Sequence, residues 1–272
     1  MYLSCSTLVC ARRDYPHLRD ALARIKELGF EAIDLAAFEN WQNVDPSQLA
    51  ADGGAWLDNF AGMLADLHLR VSSINAGTSR PVNDPDPEAF AQVRKEYAAL
   101  LDLAEKVGCP NITVQPGRMM EGHGFEELFD TAAEHLRELA ALGTGRGVTL
   151  SVEGHQGSLL ETVAAGARMM AALRPAVGFT YDPSHFAMQR IDLRRTEPLL
   201  DYAAHVHVRN AAPDRMQETM ERGGVDFEWL VAALRERGYD GAVAIEYFNG
   251  FDRDFTSVLA LRDLLVKLGV EA

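Results

Sequence analysis

Residues 146–153 read Arg-Gly-Val-Thr-Leu-Ser-Val-Glu, and this stretch contains the unit from which the whole fold is built. The run Val148–Glu153 is rich in β-branched and apolar residues, which predicts a short buried strand. Gly147 closes the helical segment before it, because glycine adopts the left-handed conformation at a helix C-terminus without a steric penalty. The stretch therefore predicts a helix, a glycine joint, and a strand that ends in a carboxylate.

Strand-like runs of this kind occur eight times along the chain. The eight runs are Tyr2–Val9, Ala32–Ala36, Arg70–Asn75, Asn111–Gln115, Val148–Glu153, Val177–Asp182, His205–Arg209 and Ala242–Tyr247. Amphipathic segments separate them, and their apolar residues recur at a helical spacing that covers one face of a sheet. Glycine also stands at three further helix-to-strand joints, at Gly29, Gly108 and Gly238. The repeated unit predicts an α/β fold with parallel strands.

Eight such units fit either a closed barrel or a long doubly wound sheet. A sheet that binds nucleotides usually has a glycine-rich turn after its first strand, whereas residues 10–14 here read Cys-Ala-Arg-Arg-Asp. The chain has 272 residues, and a (β/α)8 barrel needs about 250. We therefore predict a single TIM-barrel domain over residues 1–272. The long polar connection over residues 39–56 is predicted to be a lid at its mouth.

Composition narrows the class of protein. The formal net charge is −14, with 47% hydrophobic and 24% charged residues, and there is no dense cluster of Lys and Arg. This disfavours nucleic acid as a partner. The three cysteines, at positions 5, 10 and 109, form no CxxC pair and no disulfide framework. No signal peptide and no membrane-spanning run is evident, so we expect a cytoplasmic location without membrane contact.

The last four predicted strands each carry a polar residue at or near the carboxyl end that suits metal ligation. These residues are Glu153, Asp182, His207 and Glu246. One acid at a strand end carries little information, but four successive residues at equivalent positions would converge around the axis of a barrel. Three carboxylates brought together repel unless a cation lies among them. The donor set suits Mn²⁺, Co²⁺, Mg²⁺ or Zn²⁺, and we favour Mn²⁺.

Other polar residues lie near the same predicted strand ends. His155 follows Glu153 by two residues and points to the same side in an extended strand. His205 lies one layer deeper than His207 and is predicted to be a hydrogen-bonded barrel histidine. Amides, arginines, an acid and an aromatic side chain form a candidate polyol-binding wall at Glu39, Trp41, Asn75, Arg80, Gln115 and Arg118. For each of these alone, a solvated loop position is the competing interpretation.

Several of these motifs resemble one family. They are Glu153, Asp182-Pro183-Ser184-His185, His205-Val206-His207-Val208-Arg209, Gly238-Tyr239-Asp240-Gly241 and Ile245-Glu246. Together they are similar to the xylose isomerase-like TIM barrel superfamily, in its sugar isomerase and epimerase branch, which includes tagatose 3-epimerase and the inosose isomerases and dehydratases. The resemblance extends over nearly the whole chain.

The resemblance implies roles for individual positions. Glu153, Asp182, His207 and Glu246 match the metal quartet, and Glu153 and Glu246 match the acid/base pair that moves a proton next to a carbonyl through an enediolate. His185 and Arg215 match substrate contacts, and His155, Gln115, Asn75 and Arg209 are further expected substrate-binding residues. Many relatives have Lys and then Asp where Arg209 and Asn210 stand here.

Several functions remain open from the sequence. The leading one is a metal-dependent isomerase or epimerase acting on a ketose, an inosose or a related keto-polyol. The second is a dehydratase of the inosose or 3-dehydroshikimate type, and the third, an AP endonuclease-like DNA repair enzyme, would need more His and acid ligands in the first four strands. A barrel that only binds a ligand is the non-enzymatic alternative. The expected partner is a small sugar, polyol or keto-acid, and relatives suggest a homo-dimer or homo-tetramer. Arg80, Arg118 and Arg215 grouped around the metal would indicate a carboxylate or phosphate on the substrate.

Overall fold

The computed structural model describes residues 1–10, 12–40, 44–52, 54–248 and 250–272. Its strands are β1 Tyr2–Ser6, β2 Ala32–Phe38, β3 Arg70–Gly77, β4 Asn111–Val114, β5 Thr149–Glu153, β6 Val177–Tyr181, β7 Ala203–Val208 and β8 Ala242–Ile245. All neighbouring strands are parallel, and they form a closed barrel in chain order. Closure is made by β8, which pairs with β1 from Tyr2 opposite Ala242 to Cys5 opposite Ile245. The predicted (β/α)8 barrel is confirmed.

Helices surround this barrel. They are α1 Leu18–Glu27, α2 Pro46–Asp52, α3 Gly54–Leu67, α4 Pro87–Val107, α5 Phe125–Leu142, α6 Val163–Leu173, α7 Pro183–Met188, α8 Phe227–Glu236 and α9 Thr256–Lys267. Short 3-10 helices cover Thr7–Val9 and Leu193–Tyr202. Within the part of the chain that the structure describes, no helix is both long enough and apolar enough to cross a bilayer.

The apolar stripes predicted from the sequence face the barrel. In α5, for example, Leu128, Phe129, Ala132 and Leu136 are all buried. Burying a leucine or phenylalanine side chain contributes about 1.5–3 kcal/mol relative to leaving it exposed. Packing between the helices and the outer face of the strands therefore forms the main hydrophobic core.

The interior of the barrel is unusually polar. Bulky branched residues usually fill a TIM barrel, but here Ser4 and Ser72 are buried with their hydroxyl oxygens 2.7 Å apart. Thr180 contacts the hydroxyls of both Ser151 and Thr113, at 2.6 and 2.9 Å. A layer of paired small hydroxyl side chains therefore lies inside the strands, because an unpaired buried hydroxyl would cost free energy.

Two local features differ from, or complete, the sequence interpretation. The first strand ends at Ser6 rather than Val9, because the Ser6 hydroxyl accepts a hydrogen bond from the Leu8 amide and starts a 3-10 turn. Thr7 in that turn accepts a hydrogen bond from the Ala36 amide of β2 at 2.9 Å. The glycine joint after α4 adopts the predicted left-handed conformation, with φ of 67° at Gly108.

The predicted lid over residues 39–56 is described only in part. Trp41 and two following residues, and Gly53, lie outside the described residues. Residues 46–52 form α2, and the Ser47 amide donates to the Glu39 carboxylate at 3.2 Å. Glu39 is thus held within its own connection, and the lid role itself stays a prediction.

Candidate metal centre

The four predicted ligands come together at the carboxyl ends of the last four strands. Glu153 is the final residue of β5, Asp182 and Glu246 directly follow β6 and β8, and His207 lies in β7. One ligand atom from each of the four lies within 4.8 Å of the others, and all four residues are buried. Parallel strands of a closed barrel make this convergence necessary, because equivalent positions surround one axis.

The donor set fits a divalent cation. Metal–ligand bonds to carboxylate oxygen and imidazole nitrogen are about 2.0–2.2 Å long, so ligand atoms around one ion are separated by no more than about twice that length. The observed upper limit of 4.8 Å is close to that dimension. Three carboxylates and the Arg209 guanidinium leave an excess of two negative charges when the His207 ring is neutral. A divalent ion would balance that charge.

His207 occupies the middle of the cluster. Its Nδ1 lies 2.9 Å from Oε1 of Glu153 and 3.6 Å from Oε1 of Glu246. Burial lowers the pKa of His207, but Glu246 and Asp34 outweigh this and raise that pKa well above its ordinary value. The Nδ1 atom therefore faces the space that the carboxylates share, and it is the ring nitrogen available to a cation.

The two glutamates have different proton affinities. Burial would raise the pKa of Glu153, but the hydrogen bond and the charge of His207 outweigh it and hold that pKa below its ordinary value. Burial raises the pKa of Glu246 to about 7, although the charges of His207 and Arg209 act in the opposite direction. The same structure thus gives two neighbouring carboxyl groups opposite tendencies to hold a proton.

Arg209 lies fully buried against the cluster. Its guanidinium donates to Oδ2 of Asp182 at 2.7 Å, to a side-chain oxygen of Glu246, and to the Glu246 carbonyl at 2.9 Å. Its Nε donates to the Ser184 hydroxyl at 2.9 Å. Asn210, the other departure from the usual family residues, binds the Thr219 carbonyl and the Val225 amide. Arg209 therefore faces the site, whereas Asn210 organises the loop after β7.

His185 and His155 stand beside the ligands. His185 Nε2 lies 3.0 Å from a guanidinium nitrogen of Arg209 and 3.6 Å from Oδ2 of Asp182. Burial lowers the pKa of His185 to about 4. The half-buried His155 ring is centred 5.6 Å from that of His185. Both histidines thus border the site, as the sequence predicted.

The first half of the barrel contributes residues that touch the ligands from the opposite side. The Asn75 amide of β3 donates to Oε1 of Glu246 at 2.9 Å, and the Gln115 amide donates to Oε2 of Glu153 at 3.1 Å. Both were predicted to bind substrate, and the structure places them as partners of the two glutamates. The Asn75 carbonyl oxygen is buried and has no hydrogen-bond partner among the described residues.

Asp34 of β2 is a site residue that the sequence analysis missed. Its Oδ2 lies 2.7 Å from Nε2 of His205 and 3.1 Å from Nε2 of His207, and all three side chains are almost completely buried. His205 is thus the hydrogen-bonded barrel histidine that the sequence predicted. Charged residues are depleted inside strands, so an aspartate inside the run Ala32–Ala36 was a signal that could have identified it.

Other predicted residues lie farther out. Arg80 and Arg118 line a cavity of about 270 Å³ together with Gln115 and His155. Arg215 instead donates to Glu218 at 2.9 Å, and its side chain is 58% exposed. The structure therefore does not show Arg215 at the ligand cluster, and its role as a substrate contact stays a prediction.

Fold and site together define a class of protein: a closed (β/α)8 barrel whose last four strands bring a set of divalent-metal ligands to one buried point at their carboxyl ends. The chain belongs to the xylose isomerase-like TIM barrel family, whose model matches residues 22–263. The resemblance seen in the sequence motifs is confirmed.

Individual relatives are distant. An inosose isomerase of Halalkalibacterium halodurans is 21% identical over 204 residues, which cover 71% of this chain and 72% of that protein. A D-tagatose 3-epimerase-like protein of known structure has a TM-score of 0.77 at 18% identity, and the alignment covers 98% of both chains.

Two further solved structures show the same fold. A xylose isomerase-like TIM barrel protein from Mycobacterium smegmatis, in complex with magnesium, has a TM-score of 0.77 at 20% identity and covers 98% of this chain and 96% of its own. A probable 3-DHS dehydratase from Bacillus anthracis has a TM-score of 0.75 at 17% identity, covering 98% and 99%. At these identities the structural likeness establishes the fold and leaves the reaction to be argued from the site.

Proposed function

We propose that the protein is a metal-dependent isomerase or epimerase that acts on a ketose, an inosose or a related keto-polyol. The observation that carries this proposal is the pair of carboxylates on either side of His207, with Glu153 on β5 and Glu246 after β8. Two carboxyl groups that face one small buried space can remove a proton from a carbon atom and return one to it. The inosose isomerase and the epimerase-like structure among the relatives support the same class of reaction.

Glu153, Asp182, His207 and Glu246 would hold the metal ion, and we propose Mn²⁺. When bound, the ion would supply Lewis-acid stabilisation of negative charge on the substrate oxygens. The magnesium-containing neighbour supports a divalent ion of the hard-to-borderline type.

The proton transfer itself is assigned to the two glutamates. One carboxylate takes the proton from the carbon next to the substrate carbonyl, and the electron pair of that C–H bond enters the double bond of an enediolate. The other carboxyl group returns a proton to the opposite face of the same carbon, which inverts it. Return of the proton to the neighbouring carbon would instead move the carbonyl, so epimerisation and isomerisation share the first step and need no oxidant.

The remaining residues would orient substrate and exclude water. Asn75 and Gln115 hold the carboxylates of Glu246 and Glu153 by N–H donation at 2.9 and 3.1 Å. The buried His185 and Arg209 lie side by side and offer donors to substrate oxygens. A hydrogen bond that strengthens as charge develops lowers the barrier, because it acts in a site from which water is excluded.

A dehydratase is the second candidate, supported by the dehydratase of the same fold. Elimination also begins with loss of a proton next to a carbonyl, so the ligand set serves both reactions. Elimination additionally needs a group that protonates the departing hydroxyl, and His155 stands next to His185 for such a role. The two functions therefore separate at the second step rather than at the first.

Exchange with solvent deuterium tests the proposal. The Mn²⁺-loaded protein is incubated in D₂O with a panel of ketoses and inososes, and products are followed by NMR and mass spectrometry. Deuterium at the carbon next to the carbonyl, without loss of water, is the expected result. Absence of exchange with every member of the panel, together with ultraviolet absorbance that develops from a cyclic keto-acid, would overturn the isomerase assignment in favour of the dehydratase. The cytoplasmic location and the homo-oligomer stay predictions from the sequence.

A further inference from the structure

A cavity beside the ligand cluster, here called the side cavity, lies above the carboxyl ends of β3 and β4. It encloses about 270 Å³, and its wall includes Ser79, Arg80, Gln115, Gly117, Arg118 and His155. No aspartate or glutamate belongs to this wall in the ranges that the structure covers. The side cavity is therefore lined by two guanidinium groups, an imidazole and amides in a chain whose net charge is −14.

The two arginines differ from most others in the molecule. Arg146 binds Asp102 and Glu105, and Arg168 binds Glu126. No carboxylate lies within ion-pair distance of Arg80 or Arg118 among the described residues, and both side chains are exposed at the wall of the side cavity. Two unpaired guanidinium groups that share one cavity attract an anion, because each offers several N–H donors in a planar fork.

The backbone under Arg118 is held in place by a buried side chain. Asn83, which is fully buried, donates to the Arg118 carbonyl at 2.7 Å and accepts a hydrogen bond from the Arg118 amide at 3.2 Å. Gly117 has φ of 84°, and a Cβ atom there would lie 2.2 Å from Oδ1 of Asn83. The connection after β3 and the connection after β4 are thus locked together, and only glycine fits the contact.

The backbone beside Arg80 is held in the same way. The buried carboxylate of Glu96 accepts hydrogen bonds from the Ser79 amide at 2.9 Å and from the Ser79 hydroxyl at 2.5 Å. Gln92 donates to the same carboxylate at 2.9 Å. Glu96 is therefore engaged beneath the loop rather than paired with Arg80. Both arginines project from anchored backbone, which limits the entropy lost when a ligand binds.

The side cavity is continuous with the candidate active site. Gln115 belongs to its wall and also donates to Oε2 of Glu153 at 3.1 Å. His155 belongs to the same wall and follows Glu153 by two residues. A substrate whose reacting carbon lies at Glu153 would therefore have its other end in the side cavity.

We infer that the side cavity binds an anionic oxygen group, a carboxylate or a phosphate, at the far end of the substrate. The inference rests on the proposed function and narrows its substrate class to an acidic keto-sugar, such as a ketose uronic acid or a ketose phosphate. Arg80 and Arg118 clamp the anion, and neutral ketoses leave both guanidinium groups without a partner.

Three ligands with one carbon skeleton test the inference: D-fructose, D-fructuronate and D-fructose 6-phosphate, which differ at carbon 6. Binding to the metal-loaded protein is measured by isothermal titration calorimetry. At least one acid is expected to bind about tenfold or more tightly than D-fructose, since hydrogen bonds to charged groups are the stronger class. The acid that gains affinity identifies the group as carboxylate or phosphate. Equal affinity for all three ligands would overturn the inference.

Arginine variants supply the matched controls. Arg80→Gln and Arg118→Gln should each weaken binding of the favoured acid about tenfold and leave D-fructose binding unchanged. Arg195→Gln, at another exposed arginine away from the side cavity, should leave both unchanged. Acid binding that ignores Arg80 and Arg118 would contradict the inference even if deuterium exchange occurs. Acid binding that depends on both arginines, without exchange into any ketose, would instead contradict the proposed reaction and uphold the anion site.

Discussion

The two halves of the barrel make different contributions to one site. The second half, β5 to β8, supplies the four residues that can hold a metal ion. The first half supplies the partners of those residues. These pairs are Asp34 with His207, Asn75 with Glu246, and Gln115 with Glu153. The comparison teaches that the half without ligands still determines how three of the four ligands are oriented.

The chemical difference between the halves has a physical reason. A cation needs negative or imidazole donors, and too many acids at one point would repel each other. Amides such as Asn75 and Gln115 orient a carboxylate by N–H donation without adding charge. Asp34 is the exception, and it faces an imidazole rather than a carboxylate, so its charge is compensated by His205 and His207.

The largest expected effect comes from removing a ligand in the second half. Glu246→Gln should reduce deuterium exchange by about 10²–10⁴-fold, because a carboxamide cannot carry the proton. Exchange is measured at saturating Mn²⁺ with the best ketose of the panel. Glu236→Gln, an exposed position near the end of α8, serves as the control and should retain full exchange. Full exchange in Glu246→Gln would remove the assignment of proton transfer to this pair.

The next effect concerns Asp34 in the first half. Its carboxylate accepts from Nε2 of His207, which leaves Nδ1 directed at the ligand cluster. Outer partners of this kind are worth about 10–100-fold in metal affinity. We expect Asp34→Asn to weaken Mn²⁺ binding by about that factor in calorimetry, and to alter the visible absorption of the Co²⁺ form.

Ser4→Ala provides the matched control for Asp34. Ser4 is equally buried inside the barrel, and its hydroxyl contacts Ser72 rather than a ligand. Metal affinity should be retained in this variant. If Asp34→Asn bound Mn²⁺ as tightly as Ser4→Ala, the first half would have no part in orienting His207.

A smaller effect is expected at the two amides. Gln115→Ala and Asn75→Ala each remove one neutral-to-charged hydrogen bond, worth about 1.5–3 kcal/mol when the partner is ionised. Each should lower the rate of deuterium exchange about tenfold, which corresponds to about 1.4 kcal/mol, with little change in metal affinity. Rate and affinity are measured on the same samples. A rate loss as large as that of Glu246→Gln would blur the distinction between the two halves.

The smallest effect on chemistry is expected at Glu96, which belongs to the first half but touches no ligand. Its carboxylate clamps Ser79 and Gln92. Glu96→Ala should lower the free energy of unfolding by about 1–3 kcal/mol, because buried donors lose their partner. Urea denaturation measures this loss, and Mn²⁺ affinity should stay at the wild-type value. A drop in Mn²⁺ affinity would show that the first half couples to the ligands more widely than its direct contacts.

Much of the fold could be predicted from local pattern. Strand positions followed from β-branched runs, and the differences are confined to their ends, as at Ser6, where a side-chain cap replaces the last strand residues. The four ligand positions could be predicted as well, since each lies at or near the carboxyl end of its strand. The partners could not, because His207 and Asp34 are 173 residues apart in the chain.

The sequence by itself determined the eight repeated units, the acidic strand ends and the excess of negative charge, because these depend on residue order and local periodicity. Only the tertiary structure decided which side chains meet across the barrel. Closure of β8 onto β1 brings Asp34 to His207 and Asn75 to Glu246. It also separated three arginines that the sequence could not distinguish. Arg80 and Arg118 share the side cavity, whereas Arg215 pairs with Glu218, because loop contacts rather than strand order direct these side chains.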